Sequence, residues 1–322
     1  MKRALIRNSF FAAAMLCGGC SMAADKPNPP APPAFTTVET AGPTFAIQGE
    51  YAGGKVAADV IAYTDRFHVV FFNGGLPGAG WDLGTKVEAD GKDENGVVKF
   101  GGAWPAELSG GVLKGKTDKG EAFELKRVVR MSPTEGAKPP AGAIVLFDGS
   151  SADAWNGGKM DDRKLLFCGT TSKQKFKDFT LHLEFLLCFK PGGTGQGRSN
   201  SGVYLQDRYE VQVLDSFGLK GADNECGGLY HIAAPKVNMC FPPLQWQTYD
   251  IDFTAARYDA SGAKTKNAMV TVKHNGVVIQ ENQEIPKQTG GGKAETPDAG
   301  PIQLQNHGNP VFYRNIWLVE KS

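Results

Sequence analysis

The chain has 322 residues, with 35 basic and 34 acidic side chains and a formal net charge of +1. No basic patch or charge run stands out, so the electrostatic footprint of a nucleic-acid partner is missing. Glycine (41) and proline (19) are abundant but spread among short β-type runs, and long helical periodicity is nearly absent. The composition therefore excludes a helical bundle and allows two β domains or one large all-β unit.

In chain order, Met1-Lys2-Arg3 and Arg7 make a positive start, Phe10 to Leu16 an apolar centre, and small residues follow. Residues 1–23 read as a secretory signal whose apolar centre is too short to span a membrane. Two processing readings stay open. Leu16-Cys17-Gly18-Gly19-Cys20 has the form of a bacterial lipobox with Cys20 as the lipidated residue, although Cys17 stands where a small or aliphatic residue is usual. Ser21-Met22-Ala23 is alternatively a small-x-small site that releases a chain starting at Ala24. Either implies export, to the periplasm or to an outer-membrane anchor, with membrane contact only through Cys20. A redox role for Cys17-x-x-Cys20 is disfavoured because no strand precedes it.

Residues 24–36 form a proline-rich linker, extended in character. Residues 37–131 read as a small antiparallel β domain, with strands expected over Val56–Ala62, Phe67–Phe72, Val97–Phe100, Gly111–Gly115 and Ala122–Val129. His68, on a strand among apolar neighbours, reads as a hydrogen-bonded structural residue, and no chemistry is visible in this block. Residues 132–142 make a second linker, and 143–322 a larger domain.

In that domain Phe179 to Phe185 alternates cleanly as a strand. Pro191 to Ser199 is glycine-rich, but no helix follows, so a flexible loop is expected rather than a phosphate cradle. Asn200 to Ser216 reads as two strands joined by a polar turn at Asp207-Arg208. Period-two alternation puts Tyr204, Gln206, Glu210 and Gln212 on one face, with Val203, Leu205, Val211 and Val213 behind them. Such a face suits a polar ligand, or else it is the solvated side of an antiparallel sheet. Asn275-Gly276 marks a hairpin between Val270–Lys273 and Val277–Gln280. Gln303, Gln305 and His307 alternate against Ile302 and Leu304 near the end of the chain. Many antiparallel strands with long loops indicate a two-sheet jelly-roll sandwich.

The cysteines of the larger domain are Cys168, Cys188, Cys226 and Cys240. An exported chain tolerates disulfides, and Cys226 with Cys240, bracketing a loop-like segment, is the expected pair. Cys168 and Cys188 are paired or simply buried. No Cys or His spacing matches a zinc ligand set.

Leu146-Phe147-Asp148-Gly149, Asn200-Ser201-Gly202-Val203-Tyr204, Tyr209 to Ser216, Gln245 to Asp250, Asn275-Gly276, Gln303 to Gly308 and Phe312 to Ile316 stand in the order of one family. From about Gly142 to Lys321 the chain closely resembles the 3-keto-disaccharide hydrolase domain family. The resemblance implies a concanavalin A-like (laminin G-like) jelly roll and cleavage of glycosides already oxidised at the sugar C3; it does not cover the N-terminal block. Such a reaction needs a base near C2, a group stabilising the enolate oxygen and an acid for the leaving oxygen.

Glu210 is the expected site carboxylate, as base or metal ligand; Asp215 should leave its face if the alternation continues. Glu210-x-Gln212 lacks the second carboxylate that a direct glycosidase requires. His307, at a strand end, is the candidate for proton transfer or ligation, since imidazole exchanges protons near neutral pH. Arg314 is expected to orient Glu210 or to stabilise enolate charge, its alternative being a structural ion pair. Tyr204, Gln206, Gln212, Gln303, Gln305, Tyr230 and His231 are expected around the sugar. His182 and His274 read as structural or exposed, and Trp246 and Trp317 as core. A divalent metal on Glu210 and His307 is compatible with the pattern. The substrate would be an oxidised di- or oligosaccharide or glycoside. A carbohydrate-binding module without catalysis and an ordinary glycoside hydrolase are the alternatives.

Overall fold

The computed structural model describes residues 33–321, so the signal, both processing sites with Cys17 and Cys20, and most of the proline-rich linker lie outside the described residues. Nearly all the regular structure of the described chain is strand, in two bodies that pack on each other. Eight sequential antiparallel strands, from Gly49–Gly53 to Ala122–Val128, close into a barrel when the first pairs with the last. The strands Gly49–Gly53, Val87–Glu94 and Ala106–Ser109 escape sequence reading because their apolar alternation is weak. Phe71, Phe100, Trp104, Phe123, Leu113 and Leu125 fill the interior. In Val56–Ala62 every residue is buried, because Val56, Ala58, Val60 and Ala62 face the barrel core while Ile61 packs outside it against Phe217.

The second body is a jelly-roll sandwich of antiparallel sheets. One sheet orders the strands Trp155–Asn156, Thr170–Phe176, Gly300–Leu304, Asn200–Leu205 and Tyr209–Leu214. The other runs Leu166–Phe167, Val311–Glu320, Phe179–Leu187, Trp246–Thr254, Ala268–His274 and Val277–Ile285, and Ile144–Phe147 also pairs with Val311–Glu320. Between them Val203, Leu205, Val211, Val213, Ile302 and Leu304 meet Leu181, Leu183, Phe185, Tyr249, Ile251 and Phe253. Alternate residues of each strand supply this core, as period two requires.

Part of the outer face of each sheet is covered by chain. Residues 132–137 dock on the seven-stranded sheet: the Ser132 hydroxyl meets Thr248 Oγ1 at 2.6 Å, and Thr134 Oγ1 donates to Asp250 at 2.8 Å. The Gly136 amide donates to Glu184 at 2.6 Å. The five-stranded sheet is roofed by the loops around Tyr230 and Gly290.

The expected Cys226–Cys240 disulfide is not formed. Both are free thiols, as are Cys168 and Cys188. Their segment is not the loose loop that its sequence suggests but part of the core: Cys226 is fully buried, its amide held by Ser216 Oγ at 2.9 Å and its sulfur 3.2 Å from the Tyr249 hydroxyl. The Cys240 thiol lies against that of Cys226 without a bond between them, 3.5 Å from the Leu214 carbonyl.

Candidate active site

The hairpin Asn200–Leu205/Tyr209–Leu214 aligns Tyr204 opposite Glu210 and Gly202 opposite Gln212. All four stand on the face turned away from the sandwich core. The turn lies one residue earlier than its sequence suggests. Gln206 (φ 57°) and Asp207 (φ 61°) are left-handed, and the Arg208 amide donates to the Leu205 carbonyl at 3.1 Å, the geometry that fits strand twist in a tight hairpin. This shift removes Gln206 from the expected face. Its amide nitrogen donates to the Phe176 carbonyl at 2.9 Å, and its oxygen accepts from Arg208 at 3.0 Å.

Above this face lies a pocket of about 260 Å³ lined by Gln196, Tyr204, Glu210, Gln212, Tyr230, Gly290, Gly291, Gln305 and His307. Three chain segments raise its walls. Residues 227–230 run along the edge strand, with the Gln212 amide donating to the Gly228 carbonyl at 2.9 Å and the Tyr230 amide to the Glu210 carbonyl at 3.2 Å. The Thr289 hydroxyl accepts the Glu210 amide at 2.8 Å and seats the Gly290-Gly291 segment. The glycine-rich loop, expected to be merely flexible, folds into a short 3-10 turn over Gly195–Gly197 that hangs Gln196 over the site. There Gln196 Oε1 accepts from Asn200 at 3.0 Å and Gln212 at 3.3 Å, and Gln196 Nε2 donates to the Asn224 carbonyl at 2.6 Å. Sequence reading missed Gln196 and the two glycines. The available signal was position: a loop that enters an edge hairpin directly must cross one of its faces.

Glu210 is the one carboxylate among the described lining residues. It is 2 % exposed, and its Oε2 accepts from the Tyr204 hydroxyl at 2.8 Å. Burial raises its pKa to about 7, against the opposing pull of that hydrogen bond. Its Oε1 has no hydrogen-bond partner among the described residues and leans over Gly202, where any Cβ would overlap it. The Tyr204 hydroxyl has one proton and two acceptors, Glu210 Oε2 and the Gly290 carbonyl at 2.8 Å, while Gln305 Nε2 donates to it at 3.2 Å. With Glu210 ionised, the hydroxyl can serve only one acceptor. With Glu210 protonated, carboxyl to hydroxyl to carbonyl forms a complete chain. The network thus accepts both protonation states, which is what a proton-transferring carboxylate needs. Two further acceptors, Asn200 Oδ1 and Gln305 Oε1, are buried without a partner among the described residues.

Of the other expected residues, Gln212, Gln305, Tyr230 and His307 line the pocket, His307 from an exposed position. Gln303 is the cross-strand partner of Tyr204 and shares its face, but it lies outside the lining. His231 packs edge-on against Tyr230, with ring centroids 4.3 Å apart, and its side chain points away to solvent beside Asp223. Asp215 leaves the Glu210 face and forms a buried ion pair with Arg198 at 3.0 Å.

Arg314 does not reach the site. It lies on the other sheet, where its Nε donates to Glu184 at 2.6 Å, its Nη2 to Glu135 at 2.8 Å, and its guanidinium stacks on Trp246 at 3.8 Å. The buried Glu184 on the neighbouring strand claims it, so the ion-pair alternative holds. His182 and His274 are both buried: His182 pairs with Asp250 at 2.7 Å, and His274 bonds Gln247, with burial lowering its pKa to about 3.

Among the described residues no group of three or more His, Cys, Asp or Glu side chains is arranged to hold a metal ion. A divalent cation on Glu210 and His307 would therefore have to complete its shell with amide oxygens, such as Gln196 and Gln305, and with water.

A family model for the 3-keto-alpha-glucoside-1,2-lyase-like domain matches residues 142–319, over half of the chain. The chain belongs to this family. A crystal structure from Parabacteroides distasonis ATCC 8503, named a "putative glycosyl hydrolase", aligns at 35 % identity and a TM-score of 0.51, covering 56 % of this chain and 85 % of its own. Two others of that name and organism align at 17 % and 20 % identity, with TM-scores of 0.41 and 0.40, covering 56 % of this chain and 95 % and 99 % of theirs. No curated protein matches the chain. The family match supports a glycosidase-type enzyme acting on sugars, and its span leaves the barrel uncovered.

Proposed function

We propose that this is an exported enzyme that cleaves 3-keto-glycosides, such as 3-keto-disaccharides, with Glu210 as the base. The observation that carries this reading is a single buried carboxylate with a free oxygen and a pKa near 7, facing a pocket the size of one sugar ring. A base is most effective when its pKa lies near the working pH. A 3-keto group acidifies the C2–H bond, so one carboxylate suffices to start the reaction, whereas direct glycosidases need two.

In the first step Glu210 takes the C2 proton, and the C–H electron pair delocalises into the C3 carbonyl as an enolate. The pair then returns to form the C1–C2 double bond, and the C1–O bond breaks. The leaving oxygen takes a proton from His307 or, through Tyr204, from Glu210. Water adds at C1 and C2 regains a proton, so the net change is hydrolysis; without that addition the enzyme is a 1,2-lyase. Gln196, Gln212 and Gln305 offer amide groups to the sugar hydroxyls and the enolate oxygen. Tyr230 supplies a ring at the rim.

The test is to incubate the purified protein with a 3-keto-disaccharide and with its unoxidised parent. Release of the 3-keto-monosaccharide, or its 1,2-unsaturated precursor, from the oxidised sugar alone is expected. Affinity without turnover would make the pocket a binding module, and cleavage of the parent would make it an ordinary glycosidase; either would overturn the reading.

A further inference from the structure

One segment links the barrel to the pocket. Residues 216–230 leave the site strand, touch the barrel and return as the pocket wall. At the barrel end Phe217 is fully buried and packs with Ile61, Val70 and Phe72 on the outside of the barrel. Gly218 (φ 74°) sits so close that a Cβ there would collide with the Ile61 side chain. Lys86, from the barrel, donates its ammonium to the Leu219 carbonyl at 3.0 Å. The same ammonium lies 5.6 Å from the Phe72 ring centroid and 5.1 Å from that of Trp81, so it is held in a partly apolar niche. The sandwich grips the segment at the same point: Asn238 donates to the Ser216 and Leu219 carbonyls at 2.7 and 3.1 Å, and Arg198 to the Phe217 carbonyl at 3.1 Å.

From there the chain has little freedom. Glu225 folds it into a turn by accepting the Gly221 and Ala222 amides at 2.6 and 3.0 Å. The Asn224 carbonyl then holds Gln196 over the pocket, and the chain finishes at Tyr230. A shift at Leu219 therefore has a short path, through packed and hydrogen-bonded residues, to two lining side chains.

We propose that the barrel is a positioning domain for the pocket, and that Lys86 is the positioning residue that fixes the wall carrying Tyr230 and the Asn224 carbonyl. This rests on the pocket being the saccharide site. A segment of fifteen residues without a strand of its own keeps one geometry only when both ends are tied, and at the end farther from the pocket the barrel adds the Phe217 packing and the Lys86 bond to the hold of Asn238 and Arg198. The barrel thereby sets how tightly the sugar is held, while Glu210, seated on the sandwich hairpin, keeps its chemistry.

The test uses the full chain and two variants, Lys86→Met and Gly218→Val, with Lys86→Arg as the conservative control. Hydrogen exchange of peptides spanning 219–231 is read without sugar, and kcat and KM are measured on a 3-keto-disaccharide. Expected in both variants are roughly tenfold faster exchange in 219–231, unchanged exchange in the barrel strands and in Asn200–Leu214, and a KM raised about fivefold with kcat within twofold; Lys86→Arg should restore most of the loss. Unchanged exchange in 219–231 in both variants would overturn the proposal, as would an equal loss of kcat. Because the exchange is measured without sugar, a wild type inert toward keto-sugars would refute the function while the barrel-to-loop coupling is still read separately.

Discussion

Two carboxylates stand on the outer faces of the two sheets, Glu184 on the seven-stranded one and Glu210 on the five-stranded one, and both are buried. Glu184 is 0 % exposed and accepts from the Gly136 amide, Asn315 and Arg314, with His182 Nε2 3.6 Å away. Burial alone would raise its pKa, but these partners outweigh it and bring the value down to about 2. Glu210 is as closed to solvent but lies under more protein and has a single donor, and its pKa goes the other way, to about 7. The protein covers one acid with matched donors and makes it a fixed charge. It covers the other with neutral amides, a tyrosine and a cavity, and leaves it able to take a proton at neutral pH. What separates a structural acid from a reactive one here is the inventory of donors, added to a deeper desolvation of Glu210.

That contrast can be broken experimentally. The largest effect is expected from Glu210→Gln, which keeps the shape of the side chain and removes the base. The value of kcat/KM on a 3-keto-disaccharide should fall about 10³-fold or more with the thermal midpoint unchanged or raised, because a buried charge is lost; wild-type rates would exclude Glu210 from the chemistry. Next is Arg314→Leu, which leaves the ionised Glu184 to the Gly136 amide, Asn315 and His182. Denaturant unfolding should show a loss of about 2 kcal/mol, with kcat little altered in the folded fraction. A collapse of kcat at unchanged stability would return Arg314 to the active site.

Gly202→Ala sharpens the comparison from the other side. The added methyl overlaps Glu210 Oε1 and must push the carboxylate out of its seat, so kcat should drop about 10²-fold while stability falls by ~1–2 kcal/mol. The smallest change is expected from Tyr204→Phe. The Tyr204 hydrogen bond lowers the Glu210 pKa, so its removal raises that pKa further. The wild-type pH profile of kcat/KM should rise through about pH 7 as Glu210 ionises. In the variant this limb should move to higher pH, with roughly a tenfold loss at neutrality. A limb that stays in place would mean another group sets it.

The two acids also pull stability in opposite directions with pH. Glu184, depressed from 4.5 to about 2, contributes stability above its unfolded pKa that is lost as pH falls from about 4.5 toward 2. Glu210, raised from 4.5 to about 7, carries a penalty absent at low pH that grows as pH rises from about 4.5 to 7.

The all-β character, the sandwich and the face that bears Tyr204, Glu210 and Gln212 are written in the residue pattern. Alternation is a local property: neighbours two apart share a face whatever the rest of the chain does, so the pattern is readable without coordinates. The same logic put Asp215 off that face and brought Gln305 and His307 toward the site. What each outward side chain meets depends on packing between distant segments. Arg314 fits an active site by residue type, yet it belongs to Glu184, a partner 130 residues away on a strand that pairs with its own. Gln206 was lost to a turn displaced by one residue, which in a strand reverses the face. Gln196 was gained because a glycine-rich loop folded back over the hairpin it enters. Cys226 and Cys240, read as loop cysteines, are core thiols. The closing of the barrel and its hold on Leu219 likewise depend on contacts between segments far apart in the chain. Periodicity records how a strand divides inside from outside; which segment covers the outside is set by long-range packing, and that packing decides whether a buried acid is matched or left reactive.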